Sequence, residues 1–229
     1  MKKKIVSLAL AVCLLAIAAV GTLAYFTDKD SAKNVITMGN VDITLDEAKV
    51  QQGNNGEYTV PDATDRVQEN TYTNVYPGQA LPKDPTVTNK GSMGAYVRVK
   101  VAFPVKGDNA QKSFSDVGSL FAIGATDYMF GKLETYNLPA LFEGFDASKW
   151  TVEQTAYNMP FFGTPDNILE LTFTYNEVLA PGANAVLFTG VNIDKAINTS
   201  IDVTMDITAE AIQAQGFNTP AEAFANFNA

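Results

Sequence analysis

Four segments of this chain alternate apolar and polar residues with a period of two, and nothing else in it constrains the fold as tightly. Val41, Ile43 and Leu45 alternate with Asp42, Thr44 and Asp46. Ala95, Val97, Val99, Val101 and Phe103 alternate with Tyr96, Arg98, Lys100 and Ala102. Leu169, Leu171, Phe173 and Tyr175 alternate with Glu170, Thr172 and Thr174, and Ile201, Val203, Met205 and Ile207 with Asp202, Thr204, Asp206 and Thr208. Successive side chains of a strand point to opposite faces, so each segment offers one face to a core and one to water. Val35–Met38, Pro85–Asn89 and Ala185–Ile193 are shorter candidates. Tyr76-Pro77-Gly78-Gln79 and Ala180-Pro181-Gly182-Ala183 read as type II turns, with Pro at the second position and Gly at the third. Seven or so short strands predict an all-β fold, a jelly-roll-like β-sandwich.

Two stretches break the alternation. Val50 to Asn74 is polar and rich in Gly and Asn, and reads as an exposed loop. Residues 104–163 mix aromatics with short helical patterns at Phe114–Ile123 and Ala140–Phe145, which predicts a mixed, partly helical insertion covering one end of the sandwich. Thr219-Pro220-Ala221-Glu222 is a capping box with Pro at the first helical position, and starts a short C-terminal helix that docks Phe224 and Phe227.

The chain opens with Lys2, Lys3 and Lys4, then runs apolar from Ile5 to Val20. This is the plan of a secretory signal, with Thr22 and Ala24 as the small residues before a cut. Residues 1–24 are therefore expected to leave at the Ala24–Tyr25 bond, and residues 25–229 to form a single secreted domain. Ile5 to Ala24 also has about the roughly 20 residues of a membrane-spanning helix, but Gly21 and Thr22 weaken its far end and favour cleavage. Cleavage removes three of the 16 cations and none of the 25 acids, which deepens the net charge from −9 to −12. So acidic a chain is repelled by nucleic acid and by anionic membranes. Contact with a membrane is expected only through the uncleaved signal.

The available chemistry is narrow. The sequence holds no histidine, and Cys13, its one cysteine, lies inside the signal. Ser-His-Asp triads, HExxH zinc sites, thiol catalysis and disulfides are thereby excluded from the secreted part. About 205 residues must instead be held by their core, and a domain of that size buries roughly 70% of its unfolded surface. No catalytic residue and no cofactor are expected. One ionic site is conceivable: Asp42 and Asp46 occupy the same places in their segment as Asp202 and Asp206 do in theirs. Like charges facing each other across a sheet are destabilising, so these strands either lie apart or share a cation, for which calcium is the candidate. Trp150, with Phe145 and Tyr157, reads as core of the insertion rather than as a carbohydrate platform.

Gly21-Thr22-Leu23-Ala24-Tyr25-Phe26-Thr27-Asp28, followed by Met38-Gly39-Asn40-Val41-Asp42-Ile43, resembles the TasA/camelysin family. So do Tyr76-Pro77-Gly78-Gln79, Pro85–Asn89, Tyr96-Val97-Arg98-Val99-Lys100, and the ending from Ile207 through Ala211-Ile212-Gln213-Ala214. The resemblance implies a signal of the type cut by the SipW signal peptidase of Gram-positive bacteria. It also implies a jelly-roll domain that polymerises into extracellular matrix or cell-surface fibres of a biofilm, with an accessory matrix protein as a further partner. Some fibre-forming relatives join subunits by lending an N-terminal strand to the next subunit. Here that donor strand would carry Tyr25, Phe26, Val35, Ile36 and Met38, unless the same segment folds back as an edge strand of its own subunit. The camelysin branch has been classed as zinc metallopeptidases, and any zinc in this chain would need carboxylates alone. A secreted structural protein is the expectation; a metalloendopeptidase and a monomeric surface binding module are the alternatives.

Overall fold

Three of the four alternating segments become strands along most of their length, and their faces fall as the period dictates. The computed structural model describes residues 39–107, 109–120, 138–157, 166–198 and 200–225. The chain divides into two units, Met1–Met38 and Gly39–Ala229, and these residues all belong to the second. One four-stranded sheet runs β11 (Asn184–Val186), β6 (Thr86–Asn89), β1 (Ile43–Ala48), β4 (Arg66–Val67). The other runs β13 (Asp206–Gln213), β7 (Ala95–Pro104), β10 (Asn167–Tyr175), β9 (Trp150–Tyr157), antiparallel throughout. A smaller sheet of β5 (Ala80–Pro82), β12 (Gly190–Asn192) and β8 (Phe142–Glu143) and a hairpin of β2 (Gln51–Gln52) with β3 (Tyr58–Thr59) complete the strands described.

The register explains the core. Leu171 faces Val101 and Phe173 faces Val99 across the β7–β10 pair, and all four are buried. Between them Arg98 and Lys100 turn to the other face. Val87 and Ala185, one pair in the β6–β11 register, bring the first sheet to the same cluster. The result is an all-β sandwich around one core. Full burial of each such side chain is worth about 1.5–3 kcal/mol.

Both Pro-Gly turns form as the sequence predicts. Gly78 and Gly182 have φ of 85° and 77°, a region open to glycine but costly for a residue with a Cβ. The closing bonds run from Gln79 N–H to Tyr76 O (3.1 Å) and from Ala183 N–H to Ala180 O (3.0 Å). The predicted cap forms too: the Thr219 hydroxyl accepts the Glu222 N–H (3.1 Å). It starts a short helix, Pro220–Ala225, which buries Phe224 and Ala223 against Tyr96. Phe227 lies outside the described residues.

The other expectations need correcting. Residues 104–163 do more than cover one end of the sandwich, because β9 is drawn from them and forms an edge of the second sheet. Helix α1 (Ala110–Leu120) does match part of the predicted helical stretch, and buries Phe114, Val117 and Leu120 in the main core. In Ala140–Phe145 the helix α2 (Leu138–Leu141) stops early and Phe142–Glu143 becomes strand. The Pro220–Ala225 helix is α3. Residues 50–74 are built rather than loose: Asn70 Oδ1 accepts the Val50 N–H (3.0 Å), Asn70 Nδ2 donates to Ala48 O (2.9 Å), and Tyr72 Oη donates to Pro82 O (2.5 Å). The fourth alternating segment is shifted, since strand begins only at Asp206 and runs on to Gln213.

Candidate functional site

The two sides of the sandwich are finished differently. On the side of β9 and β11, Trp150 is 1% exposed and its Nε1 donates to Val186 O (3.0 Å), tying one sheet to the other. Phe142 stacks on Phe188 with ring centroids 4.4 Å apart and meets Phe173 edge-on at 6.2 Å. On the side of β1 and β13 the two sheets approach each other directly, with Leu45, Met205 and Ile207 brought together but no backbone pairing between the two strands among the described residues. β13 pairs with β7 along one edge, and no described strand pairs with its other edge. From Ile43 to Asp46, β1 pairs only with β6, since β4 reaches no further than Glu47 and Ala48.

Burial follows the same asymmetry. No residue of β13 is fully buried, although Ile207, Ala209 and Ala211 pack against the main core. Ile43, Leu45, Val203 and Met205 are likewise only partly buried. These side chains stand at the core's rim with water on one flank. Between them opens a cleft of about 90 Å³, walled by Leu45, Met205 and Ile207 on the apolar side and by Glu47, Glu69 and Lys83 on the polar side.

Charged pairs hold the polar wall. Lys83 Nζ lies 2.6 Å from Glu47 Oε2, with the two side chains 13% and 6% exposed. Arg66 bridges Asp46 (2.8 Å) and Asp84 (2.6 Å) and also donates to both of their backbone carbonyls. Burial alone would lower the Arg66 guanidinium pKa, but hydrogen bonds to Asp84 and Asp46 and their charge outweigh it, and the group stays charged. Burial, reinforced by the charges of Glu47 and Asp84, pushes the Tyr72 phenol upward.

On the outer face of β13, Glu210 accepts from Arg98 Nε and from Lys100 Nζ (2.9 Å), and the Arg98 guanidinium sits 4.5 Å from the centre of the Phe224 ring. Burial raises the Glu210 carboxyl, yet the hydrogen bonds from Lys100 and Arg98 and their charge prevail and hold it below its ordinary value. A carboxyl depressed in the folded state adds stability above its unfolded pKa and loses it as pH falls through the folded one. Unfolding free energy is therefore expected to decline as pH drops below about 4.3, the ordinary value for Glu. Glu210→Gln should flatten that limb, as chemical denaturation at a series of pH values would read; an unchanged limb would remove the assignment.

Of the two readings left open for the twin acidic segments, the described residues support the one that keeps them in separate sheets. Asp46 belongs to one sheet and Asp206 to the other. Asp46 is bound by Arg66; Asp202 pairs with Lys106, and its N–H donates to Asp116 (3.0 Å). Asp42 and Asp206 are exposed. Among the described residues no three His, Cys, Asp or Glu side chains gather where they could hold a metal. With no histidine in the chain, the residues described do not fit a zinc centre, and no catalytic step is derived through one. Ala24, Tyr25, Phe26, Val35, Ile36 and Met38 lie outside the described residues. The cleft itself escaped the sequence, although Lys83 and Glu47 could have been suspected as opposite charges beside predicted strands.

A family model described as camelysin metallo-endopeptidase matches residues 1–124, more than half of the 229. Comparison with curated proteins finds no match.

Proposed function

This chain belongs to the camelysin metallo-endopeptidase family, and we propose that within it the protein is a secreted structural subunit that polymerises into matrix or surface fibres of a Gram-positive biofilm. The observation that carries the reading lies on the side of β1 and β13: among the described residues no strand pairs with the second edge of β13, β1 pairs from Ile43 to Asp46 with β6 alone, and the apolar side chains there are only partly buried. An incoming strand gains main-chain hydrogen bonds along such an edge and seats its side chains in the cleft.

The chain supplies a matching segment. Residues 25–38 begin with Tyr25 and Phe26 and end with Val35, Ile36 and Met38. Lent to the next subunit, this arm makes a head-to-tail contact, which does not close on itself and so propagates a filament. Until the signal is cut at Ala24 the arm is tethered to the membrane, so assembly waits for export and for a SipW-type peptidase.

The family's description favours one other reading, a secreted endopeptidase, but the donor set argues against it: zinc would have to be held by carboxylates alone. Trp150, the anchor expected of a binding module, is spent on closing the far side of the sandwich. Purified secreted chain should form filaments by negative-stain microscopy and leave casein intact. Chelator-sensitive cleavage of casein, abolished by a carboxylate substitution, would overturn the structural reading.

A further inference from the structure

We infer that the Asn55–Gly56 peptide is a site of spontaneous covalent change, where Asn55 cyclises to a succinimide and opens to an isoaspartyl link that releases the buried anchor Gln79. Asn55-Gly56 is the only Asn-Gly pair in the chain. It closes the β2–β3 hairpin: Gly53, Asn54, Asn55 and Gly56 form the turn, with Gly56 N–H donating to Gly53 O (3.0 Å) and Gly53 N–H to Glu57 O (2.8 Å). Gly56 has φ of 83°, the left-handed residue that follows the turn in a hairpin loop of this kind. Asn55 is exposed, and its Oδ1 accepts the Glu57 N–H (3.2 Å), so its side chain folds forward over the Asn55–Gly56 peptide.

The turn favours the reaction at each stage. The nucleophile is the Gly56 nitrogen, and glycine has no Cβ to hinder its approach to Asn55 Cγ. The Glu57 N–H on Oδ1 draws electrons from that carbon and stabilises the oxygen that turns negative when it is attacked. Solvent around the exposed side chain takes the Gly56 proton and later supplies the water. The turn bond to Gly53 O must first break, so cyclisation proceeds from the opened turn. The bond from Gly56 N to Asn55 Cγ then forms, the Cγ–Nδ2 bond breaks, and Nδ2 takes a proton and leaves as ammonia. Water opens the ring at either carbonyl. Attack at Cγ restores the ordinary chain as aspartate, whereas attack at the main-chain carbonyl leaves the chain running through Cβ and Cγ, longer by a methylene. That methylene comes directly before Gly56, whose carbonyl accepts Gln79 Nε2 (2.9 Å) and Gln52 Nε2 (3.3 Å). Gln79 is 2% exposed, so displacing the Gly56 carbonyl strands a buried amide donor.

The test incubates the chain beginning at Tyr25 in water enriched in heavy oxygen and maps the products by peptide mass spectrometry, with fragmentation that separates isoaspartate from aspartate. Asn55 is expected to lose ammonia and gain heavy oxygen before any other asparagine, with isoaspartate the main product. Asn54, also exposed and in the same turn, is the internal comparison, since the residue after it carries a Cβ. The isoaspartyl fraction, purified by chromatography, should melt about 2–10 °C below the parent, the shift for stranding a buried donor in a chain of this size. Asn55→Asp carries the same charge on an ordinary backbone and should melt with the parent. Retention of the Asn55 amide, earlier modification of Asn54 or another asparagine, or aspartate as the sole product would overturn the inference. So would an isoaspartyl fraction that melts with the parent, or an Asn55→Asp chain that melts as low as that fraction, because charge and not the lengthened backbone would then be responsible.

Discussion

Trp150→Ala is expected to lower the unfolding free energy by about 3–5 kcal/mol, the range for removing a large buried aromatic. Trp150 is 1% exposed, lies 5.0 Å from the Tyr175 ring and donates to Val186 O across the two sheets. Truncation leaves a cavity where the two sheets meet on the β9 and β11 side and removes the bond that spans them. At about 2–4 °C per kcal/mol for a chain of this size, the melting midpoint should fall by roughly 10 °C or more. Trp150→Phe keeps most of the packing and loses only the donor, so it should cost about 1 kcal/mol beyond its smaller volume. Denaturant melts of the two variants separate the contributions; a loss under about 1 kcal/mol for the alanine variant would contradict the role given to Trp150.

Lys83→Met should be of comparable size. Glu47 is 6% exposed, and Lys83, 2.6 Å away, is its cationic partner. Methionine replaces the lysine stem but leaves the carboxylate buried and uncompensated, a change that costs about 3–5 kcal/mol where one member of a buried pair is removed. Adding Glu47→Gln to the same chain removes the stranded charge and should recover much of the loss. Recovery is the sign of a true pair; two independent, additive losses would show that Glu47 and Lys83 act separately.

Much of the sandwich was legible because its strands carry the period in their own side chains. Val97, Val99, Val101 and Phe103 needed no knowledge of a partner to be placed on one face. The two Pro-Gly turns and the Thr219 cap are equally local, which is why they appear where the sequence puts them. What failed was long-range. Residues 50–74 look like loop because their order comes from side chains reaching distant backbone and carboxylates, Arg66 to Asp46 and Asp84 above all. β9 was read as part of an insertion, since Thr151, Glu153 and Gln154 dilute its apolar content and its place is set by pairing with β10. The twin acidic patterns of Asp42–Asp46 and Asp202–Asp206 left two readings open for the same reason: a pattern does not say which sheet a strand joins. The partial burial of β13 is the least legible feature of all, for Ile207, Ala209 and Ala211 look no different in sequence from residues that are fully covered.

The central claim is that the arm before Gly39 adds a strand to the sheet of another subunit. Its most direct measurement compares the chain beginning at Tyr25 with one beginning at Gly39, by sedimentation and negative-stain microscopy at matched concentrations. The account predicts filaments from the first, and from the second only folded monomers with the same far-ultraviolet circular dichroism. Filaments from both, or monomers from both under concentrated or acidified conditions, would contradict it.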